Sequence, residues 1–272
     1  MTDTTVTSAE AGSKTGIAAL LADLADGRIE VLDLTAPLSA TTPALRLPAP
    51  FPNLIDLSLE KVAAFDDDGP FWAHNNIHVG EHYGTHVDAP AHWVSGRDGR
   101  DVSQLPVERL VGEAAVIDMT AEVEADPDFL LEIEHIEAWQ SEHGPLPVGG
   151  WLLYRTGWDQ YGHDEKLFLN TDADGASHTP GVSAACAKWL AEETPLAGFG
   201  VETVGIDAGR GFELDPPFPV HYHLLGNDKY GVTSLKNLDR LPARGALIVV
   251  TPLPIVGGTA SPARVLALVE QS

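Results

Sequence analysis

Apolar and polar residues alternate along "IEVLDLT" (29–35) and again along "LIDLSLEKVAAF" (54–65), the two-residue period of a strand with one buried face. Four further stretches are nearly continuous apolar runs bounded by turn residues, which predicts buried strands: "AAVIDMT" (114–120), "GWLLYRTG" (150–157), "ETVGID" (202–207) and "GALIVVTPLPI" (245–255). Helical spacing recurs between them. "GIAALLADLADGR" (16–28) reads as a short amphipathic helix ending near Gly27, "EIEHIEAWQSEHG" (132–144) as a helix stopped by Gly144, and "SAACAKWLAEET" (183–194) as a third. "SPARVLALVEQ" (261–271) predicts a fourth, with Ser261 as N-cap and Pro262 at the first helical position. Strands alternating with helices predict an α/β fold with a mainly parallel or mixed sheet, and no stretch offers a place to cut it in two. The five prolines of 37–53 predict a long loop, and "DDDGP" (66–70) a turn whose charges are solvated rather than spaced to bind calcium.

Composition narrows the field. The chain has 272 residues, 44% of them hydrophobic, and a mean hydropathy near zero, enough for a sizeable core. No apolar run approaches the roughly 20 residues of a membrane span. "MTDTTVTSAEAGSKTG" lacks the basic start and apolar centre of a signal peptide, so residues 1–16 are expected to be a disordered tail before one domain over 17–272. Sixteen basic against forty acidic residues give a net charge of −24, which removes the basic footprint that nucleic-acid binding needs. Cys186 is the only cysteine. That excludes a disulfide scaffold and a cysteine zinc site, and favours the cytoplasm and a place for Cys186 in the core.

The histidines carry the chemistry. His74, His78, His82 and His86 recur every fourth residue, the spacing of one helical face. Gly80 and Gly84 would each cost a helix about 1 kcal/mol and Pro90 would end it, whereas Ile77, Val79, Thr85 and Val87 suit extended chain. A strand–turn–strand reading therefore costs less. In it His86 and Asp88 point to one side of a strand, and a bend at Gly84 turns His82 toward the same point. Two imidazoles and a carboxylate make an N,N,O set for a divalent metal.

The segment His82-Tyr83-Gly84-Thr85-His86-Val87-Asp88-Ala89-Pro90-Ala91-His92 matches every fixed position of H-x-G-T-H-x-D-x-P-x-H. It resembles the cyclase family, which includes bacterial kynurenine formamidases and isatin hydrolases. The likeness continues through "VGIDAG" (204–209), "VHYHLLGNDKYGVTSLKNLDRLP" (220–242) and "GGTASPARVLAL" (257–268), and so spans about 28–270. It implies a single swivelling β/α domain with a mixed, barrel-like sheet and flanking helices, assembled as a homodimer or higher oligomer in which loop 37–53 can reach a neighbour's pocket. It implies metal ligation by His82, His86 and Asp88 and catalysis by His92. The family's two-zinc formamidases add a later histidine and, twelve residues on, a glutamate; here those positions hold His221 and Thr233. A neutral hydroxyl cannot bridge two cations, so one metal is expected, manganese before zinc, as in the isatin hydrolases. Their serine thirteen residues past the later histidine falls on Ser234.

The resulting expectation is a hydrolase that cleaves the C–N bond of a small aromatic cyclic amide with metal-activated water, His92 as base, and His221 with Ser234 or Thr233 relaying protons. Trp72, Trp93 and Phe51 are the candidates to stack on a flat substrate. An arylformamidase acting on N-formylkynurenine is the nearest alternative, and a silent member binding a small aromatic acid the one from another class. His223 rivals His221 if "VHYHL" is a strand. His74 and His78 are expected as exposed or hydrogen-bonded strand residues, and His135, His143, His163 and His178 at the surface. "GIDAGRG" (205–211) lacks dinucleotide-loop spacing, and the chain has no Gly-x-Ser-x-Gly elbow.

Overall fold

A computed structural model describes residues 15–271. The tail expected over 1–16 lies, except for its last two residues, outside the described residues. In chain order the elements are α1 (Ile17–Ala25), β1 (Ile29–Asp33), β2 (Ser58–Asp66), β3 (Gly69–His78), β4 (His86–Asp88), β5 (Val111–Asp118), α2 (Thr120–Ala125), β6 (Leu130–Leu131), α3 (Ile133–His143), β7 (Trp151–Arg155), α4 (Glu165–Leu169), β8 (Gly181–Val182), α5 (Ala184–Glu192), β9 (Gly198–Val201), β10 (Tyr230–Thr233), β11 (Ala246–Pro252) and β12 (Ala260–Glu270).

The main sheet runs β1-β12-β11-β5-β7-β9-β10-β4, and β4 pairs back onto β12. Seven strands thus close into a barrel, with β1 lying beside the far end of β12. Strands β5, β7, β9 and β10 are parallel, and the other pairs antiparallel. The apolar runs are explained by burial on both faces. In β5 and β7, Ala114, Val116, Trp151 and Leu153 enter one core with Val232, Ile248 and Val265. The alternate residues Ala115, Ile117, Leu152 and Tyr154 face a second core under α3 and α5, with Ile136, Cys186 and Leu190. Burial there pushes the Cys186 thiol up to about 12, so it packs as a hydrophobe.

Three expectations need correction. Residues 261–271 form strand β12 and no helix. Ala263, Val265, Ala267 and Val269 are buried and the residues between them are not, a two-residue period. Pairing to β1 and β11 on its two edges overrides a good capping signal, and Pro262 is tolerated near the start of a strand. Residues 202–207 are irregular; the strand is the preceding 198–201, and the chain leaves the sheet at Glu202. "VHYHL" is a single π-helical turn, His221–Leu225. Residues two apart on a helical turn point to different sides, so His223 does not share a face with His221.

Outside the barrel stands a hairpin of β2 and β3, which pair only with each other. Its turn falls within 66–70, as the "DDDGP" run predicts. Leu59, Val62, Phe65, Phe71, Trp72 and Ile77 are all exposed on it.

Candidate metal centre

The site is built on β4, the shortest strand of the barrel, held between β10 and β12. His86 sits opposite Thr233 and Pro262, and Asp88 opposite Gly231 and Ala260. Two apart on one strand, both side chains project to the same side. Gly84 has φ +64°, and a Cβ there would lie 2.3 Å from Leu38 Cδ2. Only glycine makes that bend without strain, and the bend brings His82 back over the strand. Directly after β4, Pro90–His92 form a 3-10 turn with proline at its start, which swings His92 to the same place.

Among the described residues, ligand atoms of His82, His86 and Asp88 lie within 4.8 Å of one another. His82 Nδ1 is 2.9 Å and His86 Nε2 3.4 Å from Asp88 Oδ1. Their outer nitrogens have partners that fix the tautomers. His82 Nε2 lies 3.3 Å from Thr259 Oγ1, whose own proton goes to Glu81 Oε2 at 2.7 Å. His86 Nδ1 donates to the Gly84 carbonyl at 2.8 Å, with Thr233 Oγ1 a further 3.0 Å contact. With those protons directed outward, two imidazole lone pairs and a carboxylate converge. Asp88 is fully buried, and its Oδ2 has no hydrogen-bond partner. A Cβ on Gly231 would come within 3.2 Å of that oxygen, so glycine leaves room there. Converging lone pairs and an orphaned buried oxygen require a positive charge among them, so these residues fit a divalent cation.

Three aromatic or imidazole groups ring the triad. The His92 ring lies 4.0 Å from that of His82 and 5.4 Å from that of His221. Trp93 stands 5.6 Å from His92, 4.6 Å from His221 and 5.7 Å from Phe218. His221 Nε2 is 3.8 Å from Asp88 Oδ2, and its Nδ1 is 2.5 Å from Asp207 Oδ2. Burial would raise the Asp88 carboxyl, but positive charge and donors at the His86 and His82 positions outweigh it and hold it well below the usual range, the demand that a cation in their place would meet. Burial pushes His92 down to about 3 against the pull of the Asp88 charge, so its ring is neutral. Burial also works against charge on His221, but the Asp207 bond and the Asp88 carboxylate win, and its pKa is raised.

Of the residues singled out in the sequence, the structure brings together His82, His86, Asp88, His92, Trp93 and His221. It does not bring Ser234, Trp72 or Phe51 to them. Ser234 (φ +52°) donates its N–H to Thr203 and accepts from Thr85 Oγ1 at its carbonyl. It lines a cavity of about 240 Å³ with Gly84, Glu202 and Lys236, in which none of the triad takes part. Trp72 lies on the hairpin, stacked on His74, and Phe51 is exposed in the proline-rich loop. That loop is tied to α4 by Arg46, which pairs with Glu165. Asp207, Thr259 and Glu81 escape a sequence reading. "VGID" offers a faint signal, a carboxylate closing an apolar run, whereas Thr259 is 177 residues from the histidine it supports.

Fold and site together define a closed α/β barrel protein with a buried N,N,O constellation suited to a divalent cation. A family model described as "Putative cyclase" matches residues 32–208, and the chain belongs to that cyclase family. It is 42% identical over 263 residues to the isatin hydrolase of Roseibium aggregatum, covering 96% of this chain and 99% of that one. The solved structure of isatin hydrolase A from Ralstonia solanacearum superposes with a TM-score of 0.90 at 45% identity, covering 96% of this chain and all of that one. The kynurenine formamidase of Salinibacter ruber is 29% identical over 195 residues, 70% of this chain and 76% of that one.

Proposed function

We propose that the protein is a metal-dependent hydrolase that opens the C–N bond of a small aromatic cyclic amide, with isatin as the first candidate and isatinate as its product. The observation that carries this reading is the pairing of the His82–His86–Asp88 triad with an adjacent His92 that is not one of its members, in a chain so similar along its length to an isatin hydrolase. A divalent cation held by the triad supplies Lewis acidity to a water and to the substrate carbonyl. His92 accepts the proton that the water loses as its oxygen bonds to the carbonyl carbon. The C–N electron pair goes to nitrogen, and the same proton is returned there, leaving an arylamine and a carboxylic acid whose remaining proton must be taken by a second base to give the carboxylate. Trp93, braced by Phe218, offers a flat apolar wall to the substrate ring. His221 stands beside Asp88 and His92 as the second base that takes this proton.

One metal per chain is supported by Thr233, whose hydroxyl contacts His86 and carries no charge to hold a second cation; manganese before zinc rests on the resemblance to the isatin hydrolases alone. We place this activity in one domain over 17–272 and in the cytoplasm, where the lone, buried Cys186 stays a thiol. No described helix is long and apolar enough to cross a membrane.

The assembly we propose is a homodimer or higher oligomer. A two-stranded ribbon is marginal alone in water, and this one exposes Phe71 to 84% and Trp72 to 48%. Covered by a second copy, it would bring Trp72, and loop 37–53 with Phe51, toward the neighbour's site. Phe71→Ser with Ile77→Ser should shift the sedimentation coefficient to that of a monomer; an unchanged coefficient would remove the hairpin from the interface.

Metal content of protein purified without added metal, paired with isatin turnover followed by absorbance, tests the activity. About one manganese per chain with turnover is the expected result. Metal-replete protein that leaves isatin intact but deformylates N-formylkynurenine would replace this reading with the formamidase one.

A further inference from the structure

Asp207 lies just beyond β9 on the irregular segment and is almost fully buried. Its two oxygens make three bonds to one turn. Oδ1 accepts the backbone N–H of Val220 at 2.7 Å, and Oδ2 accepts the backbone N–H of His221 at 3.1 Å. The third bond joins Oδ2 to His221 Nδ1 at 2.5 Å. An ionised carboxylate only accepts, so the proton on this short contact belongs to Nδ1. In the neutral ring the lone pair is then on Nε2, the nitrogen that lies 3.8 Å from Asp88 Oδ2.

We infer that Asp207 is a positioning residue: by holding the Nδ1 proton of His221, it fixes Nε2 as the nitrogen offered to the metal centre. The consequence for turnover rests on the hydrolase reading above; the tautomer itself does not. Asp207 also caps the turn that carries His221, so its two duties must be separated. Asp207→Asn keeps one cap bond and gives up the other. The amide oxygen still accepts from Val220 N–H, whereas the amide NH₂ cannot accept from His221 N–H; the same NH₂ faces Nδ1 and makes it an acceptor. The ring proton is thereby transferred to Nε2, the wrong nitrogen for a proton acceptor at the site.

The test uses full-length protein loaded with diamagnetic zinc and labelled with ¹⁵N-histidine. Nitrogen-detected correlation spectra at alkaline pH read the tautomer, with His221→Ala identifying the His221 signals. The parent should show Nδ1 protonated and Nε2 bare, and Asp207→Asn the reverse. In the same variant kcat on isatin should fall about 10²–10⁴-fold. KM and zinc content should stay near parental, the melting temperature should fall by no more than one lost backbone hydrogen bond costs, and Asp207→Asn should cost no further activity when His221 is already Ala. An Nε2–H tautomer or a doubly protonated ring in the parent would overturn the inference. So would undiminished kcat in a variant whose tautomer has reversed, or a loss of kcat matched by loss of zinc or by a larger fall in melting temperature. If the parent does not turn over isatin, the hydrolase reading fails, and the spectra still decide the tautomer.

Discussion

His74 and His78 continue the spacing of His82 and His86, yet the two pairs share nothing else. The first pair lies on the exposed β2–β3 hairpin, where His74 stacks on Trp72 and His78 bonds to Glu60. The second pair converges on a buried carboxylate. The four-residue period therefore carries no chemistry of its own. What separates the pairs is backbone: the left-handed bend at Gly84, and a three-residue strand clamped on both edges by the closing barrel. The hairpin has neither, and its side chains remain where a ribbon leaves them, at the surface.

The sharpest break of this comparison is His86→Ala. Removing one ligand leaves Asp88 buried with half its compensation, and bound metal and turnover should both fall by at least about 10³-fold, beyond the 10–100-fold typical of residues that only support a ligand. Metal content by mass spectrometry reads this directly. His92→Ala should cost about 10²–10⁴-fold in kcat while metal content stays parental; full activity would remove His92 from the chemistry.

A stability test extends the comparison to carboxylates. Glu60 on the hairpin is exposed and held low by Asn76 and His78, whereas burial pushes Glu202 up to about 7 against its bonds from Thr156 and Trp158. The folded state thus binds the Glu202 proton more tightly than the unfolded chain, whose ordinary value is 4.5. Its contribution is favourable below about pH 4.5, is lost as pH rises to about 7, and is then level, a change of at most about 3 kcal/mol. Glu202→Gln should flatten that slope and raise stability at pH 8 in urea unfolding; equal slopes would show that Glu202 does not titrate there. Gly84→Ala should cost about 1–3 kcal/mol from the strained φ and the Leu38 contact, read as a lowered melting temperature. At the small end, His74→Ala and His78→Ala should change stability by under about 0.5 kcal/mol and leave metal content alone.

Much of this was legible in sequence. The short-range signals held: Gly84 as the bend, Gly144 as a helix stop, and His86 with Asp88 on one side of a strand. The errors arose where distant pairing decided. Residues 261–271 cap and space like a helix, but their neighbours β1 and β11 make them a strand. "VHYHL" has a strand's alternation, but its amides are anchored by Asp207 and wind into a turn. The tautomers of His82 and His221 depend on Thr259 and Asp207, which no local pattern links to them.

The long last strand has a consequence for how the protein is made. Along one edge β12 pairs first with β4, at His86 and Asp88, and then with β1, while its other edge holds β11. The ligand strand thus waits for a partner synthesised some 170 residues later. On the ribosome, residues 82–92 emerge early with their histidines uncommitted, and the barrel cannot close until residues 260–270 are free of the exit tunnel. Closure of the barrel around the ligands therefore comes only after β12 has been made, and a chain halted before β12 would carry every ligand without the strand that frames them.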